Sequence, residues 1–280
     1  MLDSDKLQFP KVTIISVSYN AELLINETID SILNLNYPNL EIIVVDNLSQ
    51  DNTRNIIQSY GNKISLFISE KDDGPYDAMN KGVKHATGEW IWFMNMGDKI
   101  PNQPNILTNI FEMMGAQNVS VFYGNANIVG KNNPFPYYYS PILKENYRFG
   151  ILTLNHQSIL SKKSLFFQFG FFDVNRFNIK ADAYWLTKLS KNLNENQFRH
   201  VNYFMADYND SGISGNSKNF SKMFKEDQLI VKEFGSNRDM ILLIINQVLL
   251  RLRVVLLYLL QKNKWVYGYY RKLKYAQAKS

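Results

Sequence analysis

The chain has 280 residues, 45% of them hydrophobic and 20% charged, and it contains no cysteine. A composition of this kind supports one sizeable core, argues against wholesale disorder, and excludes disulfide frameworks, thiolate metal sites and cysteine nucleophiles. The net charge of +6 is unevenly placed: eight basic and no acidic residues follow Asp239, leaving 23 basic against 25 acidic ones in residues 1–239. The body is near neutral and only the tail is cationic, which points away from nucleic acid and toward an acidic surface met by the tail. Residues 1–10 include Asp3, Asp5 and Lys6 and no apolar segment of the signal-peptide kind, so the expected compartment is the cytoplasm.

The first hundred residues alternate between strand and helix patterns. Val12–Ser18 is a β-branched run of buried-strand length, and residues 22–35 follow with Leu24, Ile25, Ile29, Ile32 and Leu33 at helical spacing. Tyr37-Pro38-Asn39 breaks that helix, and residues 41–45 form a second strand ending at Asp46. Ser49 to Asn52 offer capping chemistry for a helix over 53–60, 64–68 reads as a third strand, Pro75–His85 as a helix, and 89–94 as a fourth strand. The alternation implies an α/β fold: a mostly parallel, doubly wound sheet with helices on both faces. Beyond residue 118 the pattern loosens into short strands and aromatic loops, with a clear helix over 182–193 and a strand over 198–206. Neither a repeat nor a low-complexity linker separates a second domain. The expected organisation is a body over 1–239, with halves 10–117 and 118–239, and a helical tail over 240–280.

Residues 240–260 are long enough to span a bilayer but carry Asn246, Gln247, Arg251 and Arg253 in their middle. Each Arg costs about 2.5–3.5 kcal/mol on insertion scales, enough to offset several leucines. On a helix Gln247, Arg251, Tyr258 and Lys262 would form a narrow polar stripe. The expected arrangement is an interfacial helix on an anionic membrane surface, with Trp265, Tyr267, Tyr269 and Tyr270 just beyond it. The alternative is a helix packed on the body or on another subunit.

In a doubly wound sheet, ligands sit at the carboxyl ends of the strands. Here those ends are polar: Ser18-Tyr19-Asn20, Asp46-Asn47, Ser69 to Gly74, and Asn95-Met96-Gly97-Asp98. The sequence lacks both Gly-x-Gly-x-x-Gly and Gly-x-x-x-x-Gly-Lys-Ser/Thr, which argues against a dinucleotide oxidoreductase and a P-loop kinase. It also lacks His-Glu-x-x-His and Gly-x-Ser-x-Gly, and its three histidines leave little for a metallo-hydrolase.

The runs Val12 to Asn20 and Glu41 to Asp51 resemble the opening of a family 2 glycosyltransferase of the GT-A fold. The segment Asp73-Gly74-Pro75-Tyr76-Asp77-Ala78-Met79-Asn80-Lys81-Gly82, followed by Ala86-Thr87-Gly88-Glu89-Trp90, is more specific. It resembles the branch that builds bacterial surface polysaccharides such as colanic acid, O-antigen and capsule, and the likeness runs over about residues 10–215. The resemblance implies an inverting transferase using a nucleoside diphosphate sugar, UDP-sugar before GDP-sugar, and a lipid-linked oligosaccharide acceptor. Asp46 would bond the nucleobase, while Tyr19, Asp77, Asn80 and Asn95 would help line the donor pocket. Tyr76 and Met79 read as packing residues. The family usually carries Asp-x-Asp after strand four to hold Mg²⁺ or Mn²⁺ against the diphosphate. Here the equivalent stretch is Asn95 to Asp98, so Asp98 is the only carboxylate to hold the metal.

The segment Lys180-Ala181-Asp182-Ala183-Tyr184-Trp185 resembles the part of the family that supplies the catalytic base. The residues alone favour Asp182 as a helix cap, and the resemblance makes it the base. Asp173 reads as a turn residue. His156-Gln157 matches a pair that would border the diphosphate or the acceptor, against a plain hydrogen-bonding role for His156. Gly212-Ile213-Ser214 matches a loop near the pocket, and Trp185 reads as core. The competing readings are a sugar-nucleotide pyrophosphorylase, which needs a glycine-rich basic loop after strand one, and a catalytically dead scaffold.

Overall fold

A computed structural model describes residues 9–114, 118–129, 135–209 and 217–262, with the side chains of the last helix described as far as Leu252. The chain runs β1 Val12–Ser18, α1 Ile25–Leu33, β2 Leu40–Asp46, α2 Thr53–Ser59, β3 Leu66–Ser69, α3 Pro75–His85 and β4 Trp90–Phe93. It continues with α4 Ile106–Glu112, β5 Val121–Val129, β6 Phe135–Tyr137, β7 Tyr147–Arg148, β8 Ile151–Leu152, β9 Ile159–Lys162 and α5 Ser164–Phe169. Last come α6 Ala181–Asn192, β10 Phe198–Asn209, α7 Phe220–Phe234 and α8 Asn237–Lys262.

One eight-stranded sheet joins both halves in the order β10-β5-β9-β4-β1-β2-β3, with β6 beside β5. Strands β1 to β4 pair in parallel, β10 is parallel to β5, and β9 runs antiparallel between β4 and β5. The expected mostly parallel α/β sheet is therefore what forms. Its two-residue period sorts the core. Ile15, Val17, Ile43, Val45, Ile91 and Phe93 pack one face against α3 and α6. Val12, Ile14, Ile42, Val44, Trp90 and Trp92 pack the other against α1, α2 and α4. Helix α3 sits so close to β1 that a Cβ on Gly82 would lie 2.5 Å from Ile15.

Glu41, at the start of β2, is buried at the edge away from the polar strand ends. It accepts from Thr13 Oγ1 (2.5 Å), Thr87 N–H (2.8 Å) and Thr87 Oγ1 (2.5 Å), and pairs with Lys11 at 3.2 Å. Burial pushes its carboxyl up, but these donors outweigh burial and bring it down from 4.5 to about 2.

Helices α4, α5 and α7 had no counterpart in the sequence expectation, and α7 packs its Ile230 and Val231 into the same core as α6. Helix α8 begins at Asn237, and most of the side it turns to solvent is apolar. Leu243 is buried at 4% exposure while Ile241 is 58%, Val248 50%, Leu249 59% and Leu252 59% exposed. Asn246 instead faces the body, accepting from Arg148 Nη2 at 3.3 Å. Tyr258 and Lys262 have side chains outside the described ones, as do the aromatic residues from Trp265 onward and the Gly212-Ile213-Ser214 loop. Among the described residues no helix is long and apolar enough to cross a membrane.

Candidate active site

The strand ends that the sequence marks as polar meet at one edge, and the densest group lies where β4, the turn before β9 and the start of α6 converge. Asp182 is the second residue of α6, whose capping position is Lys180, so it does not cap the helix. Its carboxylate is held from three directions. Oδ1 accepts from Tyr76 Oη at 2.8 Å and from Ala183 N–H at 2.8 Å, and Oδ2 lies 2.8 Å from His156 Nδ1. On the far side of the imidazole, Nε2 is 3.2 Å from Asn95 Nδ2. With the amide donating there, Nδ1 carries the proton and donates it to Asp182.

These contacts set the electrostatics of the carboxylate. Burial pushes the Asp182 carboxyl up, but the hydrogen bond from His156, then Tyr76 and the Ala183 amide, hold it below its ordinary value. Burial first, and then the Asp182 charge, push the Tyr76 phenol well above its ordinary value and keep it a neutral donor. A carboxylate offers about four lone-pair sites. Oδ1 uses two of them, whereas Oδ2 uses one and has one left for an incoming hydroxyl.

Asp98 stands beside this group. Its Oδ2 accepts from Gln157 Nε2 at 2.9 Å, and its Oδ1 from the Asn209 N–H at 3.2 Å. Burial raises its carboxyl against the lowering by the hydrogen bonds from Gln157 and the Asn209 amide. The turn that presents Asp98 passes through Gly97 at φ +101, a backbone that a residue with a Cβ adopts only under strain. That accounts for the glycine at 97. Among the described residues no group of three or more His, Cys, Asp or Glu gathers to hold a metal. The Asn95 Oδ1 oxygen, however, is buried without a hydrogen-bond partner. Mg²⁺ is commonly bound through one or two carboxylates, substrate phosphates and waters. One carboxylate and one free amide oxygen therefore fit a cation that arrives with a diphosphate better than one caged by the protein alone.

The remaining expected residues occupy the β1–β2–β3 side of the edge. Tyr19 is 62% exposed just past β1. Asp46 is 0% exposed, and its oxygens accept from Ser18 Oγ and Ser69 Oγ, each at 3.0 Å, from Ser49 N–H at 3.0 Å, and from Ser49 Oγ. It ties three strand-end hydroxyls together, so contact with a base would require one of them to turn away. Helix α3 opens at Gly74, φ +113, with Pro75 as its first residue. Asp77 in its first turn accepts from Asp73 N–H and pairs with Lys81 at 3.4 Å. The Asn80 amide clasps the loop before α6, donating to Phe172 O at 2.9 Å and accepting from Phe172 N–H at 3.0 Å. Asp173 accepts from Arg176 Nε at 2.6 Å, and Trp185 stacks on Phe166 with centroids 4.2 Å apart.

The structure thus brings Asn95, Asp98, His156 and Asp182 together and leaves Asn80 as a clasp outside the group. Sequence reasoning missed two members. Tyr76 is buried as expected, yet its hydroxyl reaches Asp182, and a phenol in a helix's first turn beside Asp77 was the available signal. Gln157 holds Asp98, and only its place beside His156 pointed to it.

A GT-A-like α/β sheet, with the half-buried Asp182 and the buried Asp98 gathered at its polar strand ends, has the layout of a transferase site for nucleotide-linked sugars. The chain belongs to glycosyl transferase family 2, whose sequence pattern matches residues 13–180. It is 34% identical over 191 residues to the Escherichia coli UDP-Glc:alpha-D-GlcNAc-diphosphoundecaprenol beta-1,3-glucosyltransferase WfgD, covering 65% of this chain and 70% of that one. It is 37% identical over 93 residues to the Bacillus subtilis putative teichuronic acid biosynthesis glycosyltransferase TuaG, covering 32% and 37% of the two chains. It spans only 21% of a Rickettsia bellii glycosyltransferase that it matches at 35% identity over half its own length. Among solved structures, the Staphylococcus aureus TarS fragment 1–349 superposes with TM-score 0.60 at 20% identity, over 80% of this chain and 65% of that one. The Pyrobaculum calidifontis mannosyltransferase PcManGT, in complex with GDP-Man and Mn²⁺, superposes with TM-score 0.54 at 20% identity, over 78% and 61%.

Proposed function

We propose that this chain transfers one sugar from a UDP-sugar to a hydroxyl of a lipid-linked oligosaccharide, with inversion at the anomeric carbon, in the synthesis of a bacterial surface polysaccharide. The observation that carries the reading is the Asp182 carboxylate, held by Tyr76, His156 and Ala183 with a lone pair left on Oδ2. The acceptor oxygen bonds to C1 as the C1–O bond to the diphosphate breaks. The acceptor proton passes to Asp182, and the nucleoside diphosphate leaves. His156 and Tyr76 fix the rotamer of the base and keep it ionised before the step. A carboxylate held low is a weak base, so its contribution is position as much as proton affinity.

Asp98 and Asn95 Oδ1 are the residues that would hold Mg²⁺ or Mn²⁺, which when bound neutralises the leaving diphosphate. Tyr19 and Asp77 border the nucleoside side, over the serine-lined floor tied by Asp46. Support for a UDP-sugar and a lipid diphosphate acceptor comes from the name of WfgD, and support for UDP from TarS, which has been solved with UDP and with UDP-GlcNAc. The apolar outer side of α8, followed by Arg251 and the basic residues after it, suits peripheral attachment to the anionic cytoplasmic face of a membrane, where such an acceptor resides.

The test is a panel of UDP-glucose, UDP-GlcNAc and GDP-mannose with Mn²⁺ and a diphosphate-lipid-linked GlcNAc acceptor. Nucleoside diphosphate release is followed, and the product anomer is read by NMR. Inversion with a UDP-sugar is expected. Retention of configuration would remove the single-displacement mechanism, and binding without release from any donor would favour the scaffold reading.

A further inference from the structure

Helix α7 lies outside every motif the sequence offered, yet it carries a glutamate that is 3% exposed in the core. The Glu226 carboxylate accepts three backbone hydrogen bonds in a row: Asn178 N–H to Oε1 at 3.0 Å, Ile179 N–H to Oε2 at 3.0 Å, and Lys180 N–H to Oε2 at 2.8 Å. These amides belong to the residues that lead directly into α6 and so to Asp182. The same peptide is gripped from its other side, since the Ile179 carbonyl oxygen lies 2.9 Å from Tyr76 Oη. That hydroxyl has one proton, which it shares between this carbonyl and Asp182 Oδ1. The neighbouring Asp227 pairs with Lys180 Nζ at 3.4 Å.

We propose that Glu226 is a positioning residue for the transfer reaction, fixing the 178–180 segment so that Tyr76 and Asp182 hold the geometry the base requires. The proposal rests on the reading of Asp182 as the base. A buried carboxylate on three consecutive amides is costly to place unless all three bonds are made, and each is of the strong, charge-assisted kind. A generic helix cap needs none of this, because the amides lie before the helix and not in its first turn. Replacing one oxygen by an amide nitrogen sets an N–H against an N–H. It frees the segment by a fraction of an ångström, and misplacement on that scale is enough to lower turnover by up to about 10²-fold. The donor half of the site shares no bond with Glu226 and should be untouched.

The experiment compares Glu226→Gln, Glu226→Asp, Asp182→Asn and the double variant Asp182→Asn/Glu226→Gln in the full chain. It measures steady-state release of nucleoside diphosphate from UDP-glucose, UDP binding by calorimetry and thermal unfolding. Glu226→Gln is expected to lower kcat by about 10- to 100-fold with UDP affinity within about threefold of wild type. Glu226→Asp should recover part of that loss. In the Asp182→Asn background the Gln substitution should cost almost nothing more, because the two residues act as one unit. Unchanged kcat in Glu226→Gln, or a full additional loss in the double variant, would overturn the proposal while leaving Asp182 as base. Loss of UDP binding in step with kcat would assign Glu226 to general stability and overturn it equally. Normal turnover in Asp182→Asn would overturn the base assignment and this inference with it.

Discussion

The two edges of the central sheet are built from the same residue types to opposite ends. At one edge Glu41, Thr13, Thr87 and Lys11 form a network in which the Glu41 carboxylate is met by hydroxyl, amide and ammonium donors, all from the protein. At the other, Asp182, His156, Asn95 and Asp98 also bond one another, but capacity is left over in the free lone pair of Asp182 Oδ2 and the unpartnered Asn95 Oδ1. Buried polar groups are ordinarily satisfied, so an unsatisfied one inside an otherwise complete network marks the place where a ligand completes it. A saturated edge contributes stability, and an unsaturated one keeps valence for substrate. Strand β2 shows the contrast within itself, with Glu41 at its start and Asp46, tied to three serines, at its end.

The largest effect expected from breaking this contrast is at the open edge. Asp182→Asn should lower turnover by about 10²- to 10⁴-fold, the range for losing a general base, while UDP binding measured by calorimetry stays near wild type. Next in size is Asp98→Ala, for which a loss on the order of 10²-fold in turnover is expected, reproduced by EDTA and relieved by Mn²⁺ only in the wild type. Calorimetric UDP titration with and without Mn²⁺ checks it, since the metal should tighten UDP on the wild type and not on the variant.

At the closed edge the expected change is in stability. The Glu41 carboxyl is lowered from 4.5 to about 2, which corresponds to about 3 kcal/mol of linkage. Because the folded value lies below the unfolded one, that stabilisation is complete above about pH 4.5 and fades as pH falls toward 2. Glu41→Gln should therefore be destabilised near neutral pH and should lose the part of the acid slope between those values, as read by urea unfolding at a series of pH values. A smaller effect again is expected from truncation after Asp239. It should abolish co-sedimentation with anionic vesicles, each basic residue near the surface contributing about 1 kcal/mol, and leave UDP binding intact. Equal binding of the full chain to neutral vesicles would remove the electrostatic part of that attachment.

The parallel half was legible because its signals are local. Val12–Ser18, Leu40–Asp46 and Pro75–His85 carry β-branched runs, a breaker and a Gly-Pro helix start, and they form where their periodicity puts them. Asp182 and Asp98 were singled out through the family likeness, and the fold brings both to one end of the sheet. What stayed hidden depends on partners far apart in sequence. The His156–Asp182 contact, the Gln157–Asp98 bond and the Glu226 clamp each join segments that only the folded sheet brings together. The bonds of Asn80 to Phe172 were hidden for the same reason. On α8 the polar residues were legible, but not the bond from Arg148 to Asn246 that ties the helix to the body and leaves its apolar residues outside.

The contrast between the edges is tested most directly by measuring turnover and thermal unfolding of Asp182→Asn and Glu41→Gln side by side, at a temperature where both variants are folded. The expected result is a crossing. Asp182→Asn should lose turnover by at least about 10²-fold with little change in unfolding temperature, while Glu41→Gln unfolds at lower temperature with kcat close to wild type. Loss of turnover in Glu41→Gln together with full turnover in Asp182→Asn would contradict the assignment of the open edge as the catalytic one.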